Sequence, residues 1–223
     1  MKVKLIHTIN ECTTVQVYNA FKSKLDDYGS FLAACAAVTD YMEDRPIGSA
    51  QLQRFDRQFV LLEATTLTFT ITSHQKDPEY LLYLVDELSG SKYPHAIPNV
   101  FEFVSVQAER ISGVIQKVKD NMKKMKNLSY MEVKDSGASM AVNFVLGLSG
   151  KEVGVAYKLR EEPGIYAVSV RGSRTCKIHL GRIVNQLATE LGGSGGGHDK
   201  ACGAVIPKEK IGLFLKKFNA KLK

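Results

Sequence analysis

The stretch Leu191-Gly-Gly-Ser-Gly-Gly-Gly-His-Asp-Lys-Ala-Cys-Gly-Ala204 limits what this chain can fold into more than any other. Five of its first eight residues are glycine. A helix-patterned segment, Leu180 to Leu191, runs into it and a short apolar run, Ala204 to Ile206, leaves it, so the spacing predicts an ordered loop inside a folded domain. Glycine accepts positive φ without steric penalty and lets a ligand approach the main chain, so successive Gly N–H groups can face one concavity and hold an anion. A phosphate is the expected guest. His198 follows at once and can donate a hydrogen bond to a phosphate oxygen or, protonated, add a charge. A flexible Gly/Ser linker is the alternative reading of the composition. The abrupt end in His-Asp-Lys and the apolar segments on both sides argue for order.

The rest of the chain sorts into a helical first half and a mixed second half. Residues 2 to 9 read as a short strand, followed by a helix capped by Thr13 or Thr14 and carrying Val15, Val17, Tyr18, Phe21 and Leu25. Ser30 to Glu43 is apolar on nearly every side until Asp40, which predicts a buried helix ending at a carboxylate that needs a partner or a metal, or else stands in water. After the turn residues Asp44 to Ser49 a helix is expected through Phe55, Phe59, Leu62 and Leu67. Ala64 to Thr72 alternates with period two and is rich in threonine, so a strand is the local preference; a buried helix with hydroxyls turned onto its own carbonyls is the rival. Asp77-Pro78 opens another helix. Ser89 to Pro98, with a glycine and two prolines, is a hinge candidate.

From Asn99 to Met125 one long helix is expected, closing in Lys117, Lys119, Lys123, Lys124 and Lys126, which suit a solvated helix C-terminus or a phosphate backbone. Leu128 to Val133, Val153 to Leu159 and Ile165 to Arg171 read as strands, the last two joined by a turn at Glu161-Glu-Pro-Gly164. Ala138 to Leu148 is a helix or a buried strand. A helix over Ile183 to Leu191, the glycine segment, a strand over Ala204 to Ile206 and a basic terminal helix from Lys208 to Leu222 complete the pattern. The fold class is therefore α/β: a mostly helical N-terminal part, a long connecting helix, then a C-terminal α/β domain with a mixed sheet of about five strands flanked by helices. Arg171 stands at the end of its strand, before a Gly-Ser turn, where a guanidinium can grip a phosphate bidentately or form a structural salt bridge to a nearby carboxylate.

Composition narrows the setting. A net charge of +7 and a pI of about 9.1 suit acidic partners such as nucleic acid or nucleotides. No apolar run is long enough for a bilayer span, nothing at the N-terminus has the form of a signal peptide, and no membrane partner is expected. Cys12, Cys35, Cys176 and Cys202 are scattered without a Cys-x-x-Cys pair, which speaks against structural zinc or a disulfide framework and fits a reducing cytoplasm.

Taken together, Ser169-Val-Arg-Gly-Ser173, a helix, Gly192-Gly-Ser-Gly-Gly-Gly-His198 and Ala201-Cys-Gly-Ala204 resemble the C-terminal domain of the DHH phosphoesterase family, in particular its RecJ-like archaeal branch. The resemblance covers residues 127 to 223 and implies that Ser169, Arg171, Gly195, Gly196, Gly197 and His198 hold substrate phosphates; Asp199 stands where many bacterial members have proline. More faintly, Ile9 to Tyr18 is similar to the segment after the family's Asp-His-His motif, and Ala33 to Asp40 to its fourth motif, which makes Asp40 a metal-ligand position. The implied organisation is the C-terminal portion of a DHH-type domain over residues 1–92, a hinge and connecting helix over 93–126, and a substrate-binding domain over 127–223. No Asp-x-Asp or Asp-His-His motif occurs. One carboxylate cannot hold the two manganese (or magnesium) ions of the complete enzymes, so the chain is expected to bind substrate without cleaving it. The implied substrate is single-stranded nucleic acid, an oligonucleotide or a nucleotide. The resemblance thus implies the C-terminal part of a RecJ-like, metal-dependent hydrolase of phosphodiester bonds; the alternatives are a non-catalytic nucleic-acid-binding module or an interaction subunit completing its cleft with a separate catalytic chain.

Overall fold

A computed structural model describes residues 5–134, 137–160 and 164–222. They form two compact units, 1–109 and 110–223. Unit 1 is helical: α1 (Thr13–Phe21), α2 (Asp27–Thr39), α3 (Pro46–Leu52), α4 (Arg57–Ser73), α5 (Pro78–Ser89), a 3-10 turn (Pro94–Ala96) and the start of α6 (Val100–Asn121). Side-chain carboxylates set three of the starts. Asp26, Asp56 and Asp77 accept the N–H groups of Gly29, Phe59 and Tyr80 at 3.0, 2.8 and 3.1 Å. The buried Glu11 caps α3 from a distance in sequence, accepting from the Ile47 and Gly48 N–H groups at 2.7 and 3.2 Å. The core between α2 and α4 is aromatic and small by turns, with Phe31, Ala34, Cys35, Val60 and Ala64 buried against Tyr28, Phe55 and Phe59. The Ser89 to Pro98 segment is tied into this unit: the Tyr28 hydroxyl donates to the Lys92 carbonyl at 2.6 Å, and His95 donates its N–H to the fully buried Glu63 at 2.9 Å.

Two expectations fail in unit 1. Ala64 to Thr72 is not a strand but part of α4. Thr68, Thr70 and Thr72 turn their hydroxyls onto the carbonyls of Ala64, Thr66 and Thr68 at 2.7–2.8 Å, which disposes of their polarity inside a packed helix. The strand expected over residues 2–9 is absent from residues 5–9, which have no regular structure, while Met1 to Lys4 lie outside the described residues. Gln16 of α1 takes the hydrogen bonds a neighbouring strand would otherwise make: its amide donates to the Thr8 carbonyl and accepts from the Thr8 N–H, both at 2.9 Å.

Unit 2 is a six-stranded mixed sheet between helices, with strands β1 (Lys123–Lys124), β2 (Ser129–Glu132), β3 (Val153–Leu159), β4 (Ile165–Gly172), β5 (Ser194–Gly197) and β6 (Ala201–Pro207) in the order β1-β2-β3-β4-β6-β5. Among the described residues only the β2–β3 pairing is parallel, and α7 (Ala138–Ser149) lies between those two strands in the chain. One face carries the main core, in which Val155, Tyr166, Val168, Val170 and Ile206 pack with Leu180, Val184 and Leu187 of α8 (Leu180–Glu190) and with Phe214 and Phe218 of α9 (Ile211–Lys221). On the other face α7 and the end of α6 cover β2 and β3 through Met131, Val133 and Ala156. Beyond them, β4 and β6 present alternate residues that stay half-buried: Ala167, Ser169 and Arg171, then Ala201, Gly203 and Val205. This less covered face holds the candidate site. The Glu161-Glu-Pro163 part of the expected β3–β4 turn lies outside the described residues; Gly164, with φ +85°, leads into β4.

Candidate phosphate-binding face

The glycine segment is not a loop. Ser194 to Gly197 form the edge strand β5, antiparallel to β6, with Gly195 opposite Ala204, Gly196 opposite Gly203 and Gly197 opposite Cys202. In a strand, successive N–H groups alternate in direction, so the three glycine amides do not share one concavity as expected from composition. Glycine is nonetheless required at each position, for different reasons. A Cβ at Gly195 would stand 2.8 Å from Ala204 Cβ and 2.9 Å from the Gly203 carbonyl oxygen. Gly196 and Gly197 have φ of +152° and +132°, where L-residues are strained. The strand is anchored from α8: Asn185 donates to the Gly195 carbonyl at 2.7 Å, and the N–H groups of Leu180 and Gly181 reach the carbonyls of Asp199 and His198 at 2.9 and 3.2 Å. Gly181 is forced by this approach, since a Cβ there would lie 2.1 Å from the Gly197 carbonyl oxygen.

Register brings the other candidates alongside. Ser169 on β4 lies opposite Gly203, which lies opposite Gly196, so one row across β4, β6 and β5 carries a hydroxymethyl and then two bare backbones. In the next row Arg171 is opposite Gly154 on one side and Ala201 on the other. The Arg171 guanidinium donates to the neighbouring Val170 carbonyl at 3.0 Å and forms no ion pair among the described residues. The salt bridge that could have explained Arg171 is therefore missing there, and a half-buried, unpaired cation stands on an accessible sheet face. Arg171 also lies beside Cys202. Burial pushes that thiol up to about 12, and the positive charge works against the rise. His198 is exposed; its N–H donates to the Ala201 carbonyl at 2.9 Å, closing the turn from β5 to β6.

Charge follows the same division. Residues 110–223 contain 21 lysines and arginines against 9 aspartates and glutamates, a net +12, whereas residues 1–109 contain 9 against 14, a net −5. On the candidate face this excess includes two residues that motif reading missed, Lys158 near the end of β3 and Arg160 just past it. They line a cleft of about 560 Å³ with Ala138 and Ser139 of α7 and with Ala167 and Ser169 of β4. Two cations at alternate positions at the end of a strand were the signal available in the sequence.

Asp40 belongs to unit 1. It is the exposed C-terminal cap of α2 and lies near the Cys12 thiol, whose pKa is raised chiefly by burial and further by the Asp40 charge, against the Val15 N–H. Asp40 opens on a groove of about 400 Å³ lined by threonines and apolar side chains, Thr14, Thr39, Thr68, Leu32 and Leu67 among them. Among the described residues no group of three His, Cys, Asp or Glu side chains could hold a metal ion. A single carboxylate among hydroxyls and hydrocarbon does not fit a pair of divalent cations, which need several anionic or imidazole ligands.

The model of the DHHA1 domain matches residues 104–223, more than half of the chain. An uncharacterized protein of Methanocaldococcus jannaschii is 34% identical over 99 residues, which are 43% of this chain and 22% of that protein, so the match spans about a fifth of its length. Among solved structures, a DHH domain described as belonging to a member of a family of ribosomal proteins aligns with a TM-score of 0.62 at 17% identity, covering 90% of this chain and 51% of that one. RecJ of Thermus thermophilus in complex with Mg2+ aligns with 0.61 at 11% identity, covering 93% and 36%. CDC45 of Entamoeba histolytica gives 0.54 at 13% identity, covering 73% and 37%. At these identities the likeness is one of fold, and the chain covers about half or less of each of these solved structures. Among the described residues no helix is long and apolar enough to cross a membrane.

Proposed function

We propose, from the premise that this chain belongs to the DHHA1 family of DHH phosphoesterases, that unit 2 binds the phosphates of single-stranded nucleic acid on the half-covered face of its sheet and that the chain supplies binding rather than hydrolysis. The observation that carries this reading is the unpaired Arg171 guanidinium beside the Ser169–Gly203–Gly196 row. A cation left without a carboxylate among the described residues, beside the bare backbones of Gly203 and Gly196, suits an anion that must come close to the backbone. Ser169 offers a hydroxyl to the same anion, Gly195 and Gly197 keep the edge free of side chains, and the exposed His198 imidazole stands at the turn, able to donate. RecJ of Thermus thermophilus has been solved with Mg2+ and with Mn2+. Hydrolysis involving this chain would need such ions on ligands other than its described residues, Asp40 at most excepted. Four unpaired, buried cysteines support a reducing, cytoplasmic setting.

A second reading, an interaction subunit that works with a separate catalytic chain, is favoured by the apolar side chains that unit 1 leaves in solvent, notably Leu82 and Val85 of α5, which are 67% and 59% exposed.

Fluorescence anisotropy with single-stranded oligonucleotides tests the main reading. Arg171→Ala is expected to weaken binding and to lower the slope of log affinity against log salt by about 0.7, the counterion release of one phosphate contact on a single strand. Unchanged affinity and slope would remove Arg171 from the site. Manganese-dependent cleavage by the purified chain, abolished by Asp40→Ala, would overturn the binding-only part.

A further inference from the structure

The cleft beside α7 shares Ser169 with the reading above and continues the same face. Lys158 lies opposite Ala167, Ala156 opposite Ser169 and Gly154 opposite Arg171, and directly opposed residues of an antiparallel pair share a face. Arg160 follows Lys158 by two positions and lines the same cleft. Its backbone N–H donates to the Ile165 carbonyl at 3.0 Å, which carries the antiparallel pairing to this end of β3. Lys158 and Arg160 form no ion pair among the described residues. Gly137, the residue before α7, has no side chain with which to cap the helix, and Ala138 and Ser139 of its first turn line the cleft. Two cations with no carboxylate partner among the described residues, the first turn of α7 and the Ser169 hydroxyl thus meet in one recess of about 560 Å³.

We infer that this recess is a second phosphate subsite, which a later phosphate of the same strand occupies when Arg171 holds the first. The inference rests on the phosphate-binding reading of Arg171 and Ser169. Arg171 and Lys158 stand four residue steps apart along the paired strands β3 and β4, about 13 Å at the rise of a strand. A strand of nucleotides laid along β4 can place one phosphate at Arg171 and a later one at Lys158 and Arg160, with Ser169 lying between them in the row order.

The test compares mononucleotide to hexanucleotide homopolymers by anisotropy or calorimetry, using the full chain, Arg171→Ala and the double variant Lys158→Ala/Arg160→Ala. The wild type is expected to gain affinity steeply once the ligand spans both subsites. The double variant should lose that gain, binding the hexanucleotide about tenfold more weakly with a salt slope lowered by about 0.7 for each phosphate no longer held, while its mononucleotide affinity stays at the wild-type value. Lys158→Arg, which keeps the charge, should bind like the wild type, and thermal melts of all variants should coincide. Hexanucleotide binding by the double variant as tight as the wild type overturns the second subsite. So does an equal loss for mononucleotide and hexanucleotide, because the cations would then serve the first subsite. Arg171→Ala reports separately: if it changes no ligand of any length while the double variant does, the earlier reading fails and the cleft stands alone.

Discussion

The two units of this chain treat charge in opposite ways. In unit 1 carboxylates are consumed by the fold. Glu63 is fully buried and accepts both the N–H and the imidazole Nδ1 of His95, Glu11 caps α3, and three aspartates cap α2, α4 and α5. In unit 2 cations are left over. Arg171, Lys158 and Arg160 have no carboxylate partner among the described residues and stand on one side of one sheet. A charge spent inside the fold stabilises it and is silent towards ligands; an unspent one on an accessible face costs the fold little and waits for a partner of opposite sign. The net charge accordingly differs, −5 for unit 1 and +12 for unit 2.

Three substitutions would break or sharpen this contrast. The largest effect is expected at Glu63: Glu63→Ala should destabilise unit 1 by about 3 kcal/mol, through the unpaired His95 N–H and the cavity left behind, while oligonucleotide affinity stays unchanged. Denaturant unfolding followed by anisotropy checks both halves, and an equal loss of binding would show that the two units are not independent in function. Next, Gly181→Ala should cost unit 2 about 2 kcal/mol because the new Cβ meets the Gly197 carbonyl, and should weaken phosphate binding by displacing β5. Calorimetric melting and the same binding assay report it; a melt like the wild type would mean that the approach of α8 to β5 is looser than described. The smallest effect belongs to Lys123, exposed on β1 at the opposite edge of the sheet. Lys123→Ala should alter affinity by less than about twofold, since a charge off the binding face contributes only screened attraction. A loss matching that of Arg171→Ala would spread the site over the whole basic surface.

The sequence made α5 legible through Asp77-Pro78 and β4 through its clean alternation, while the caps Asp26 and Asp56, which start α2 and α4, went unread. It misled where two physical accounts share one pattern. The threonines of α4 alternate as a strand would, and only hydroxyl bonds to the helix's own carbonyls make the helix possible. Ser194 to Gly197 has no β-branched residue, so nothing local reveals a strand; its pairing with β6 and its anchorage by Asn185 create one. Arg171 was visible through its motif, whereas Lys158 and Arg160 were not. Their membership of the same face follows from the β3–β4 register, a long-range fact that side-chain identities do not encode.

The backbone angles of Gly196 and Gly197 carry one last consequence. That stretch of the rim is closed to every amino acid with a side chain on grounds of handedness alone, whatever its chemistry. Any retuning of ligand preference, by drift or in the laboratory, must therefore be written on the inner strands and on the neighbouring helix, with the outermost strand acting as a fixed ruler against which the changes are measured.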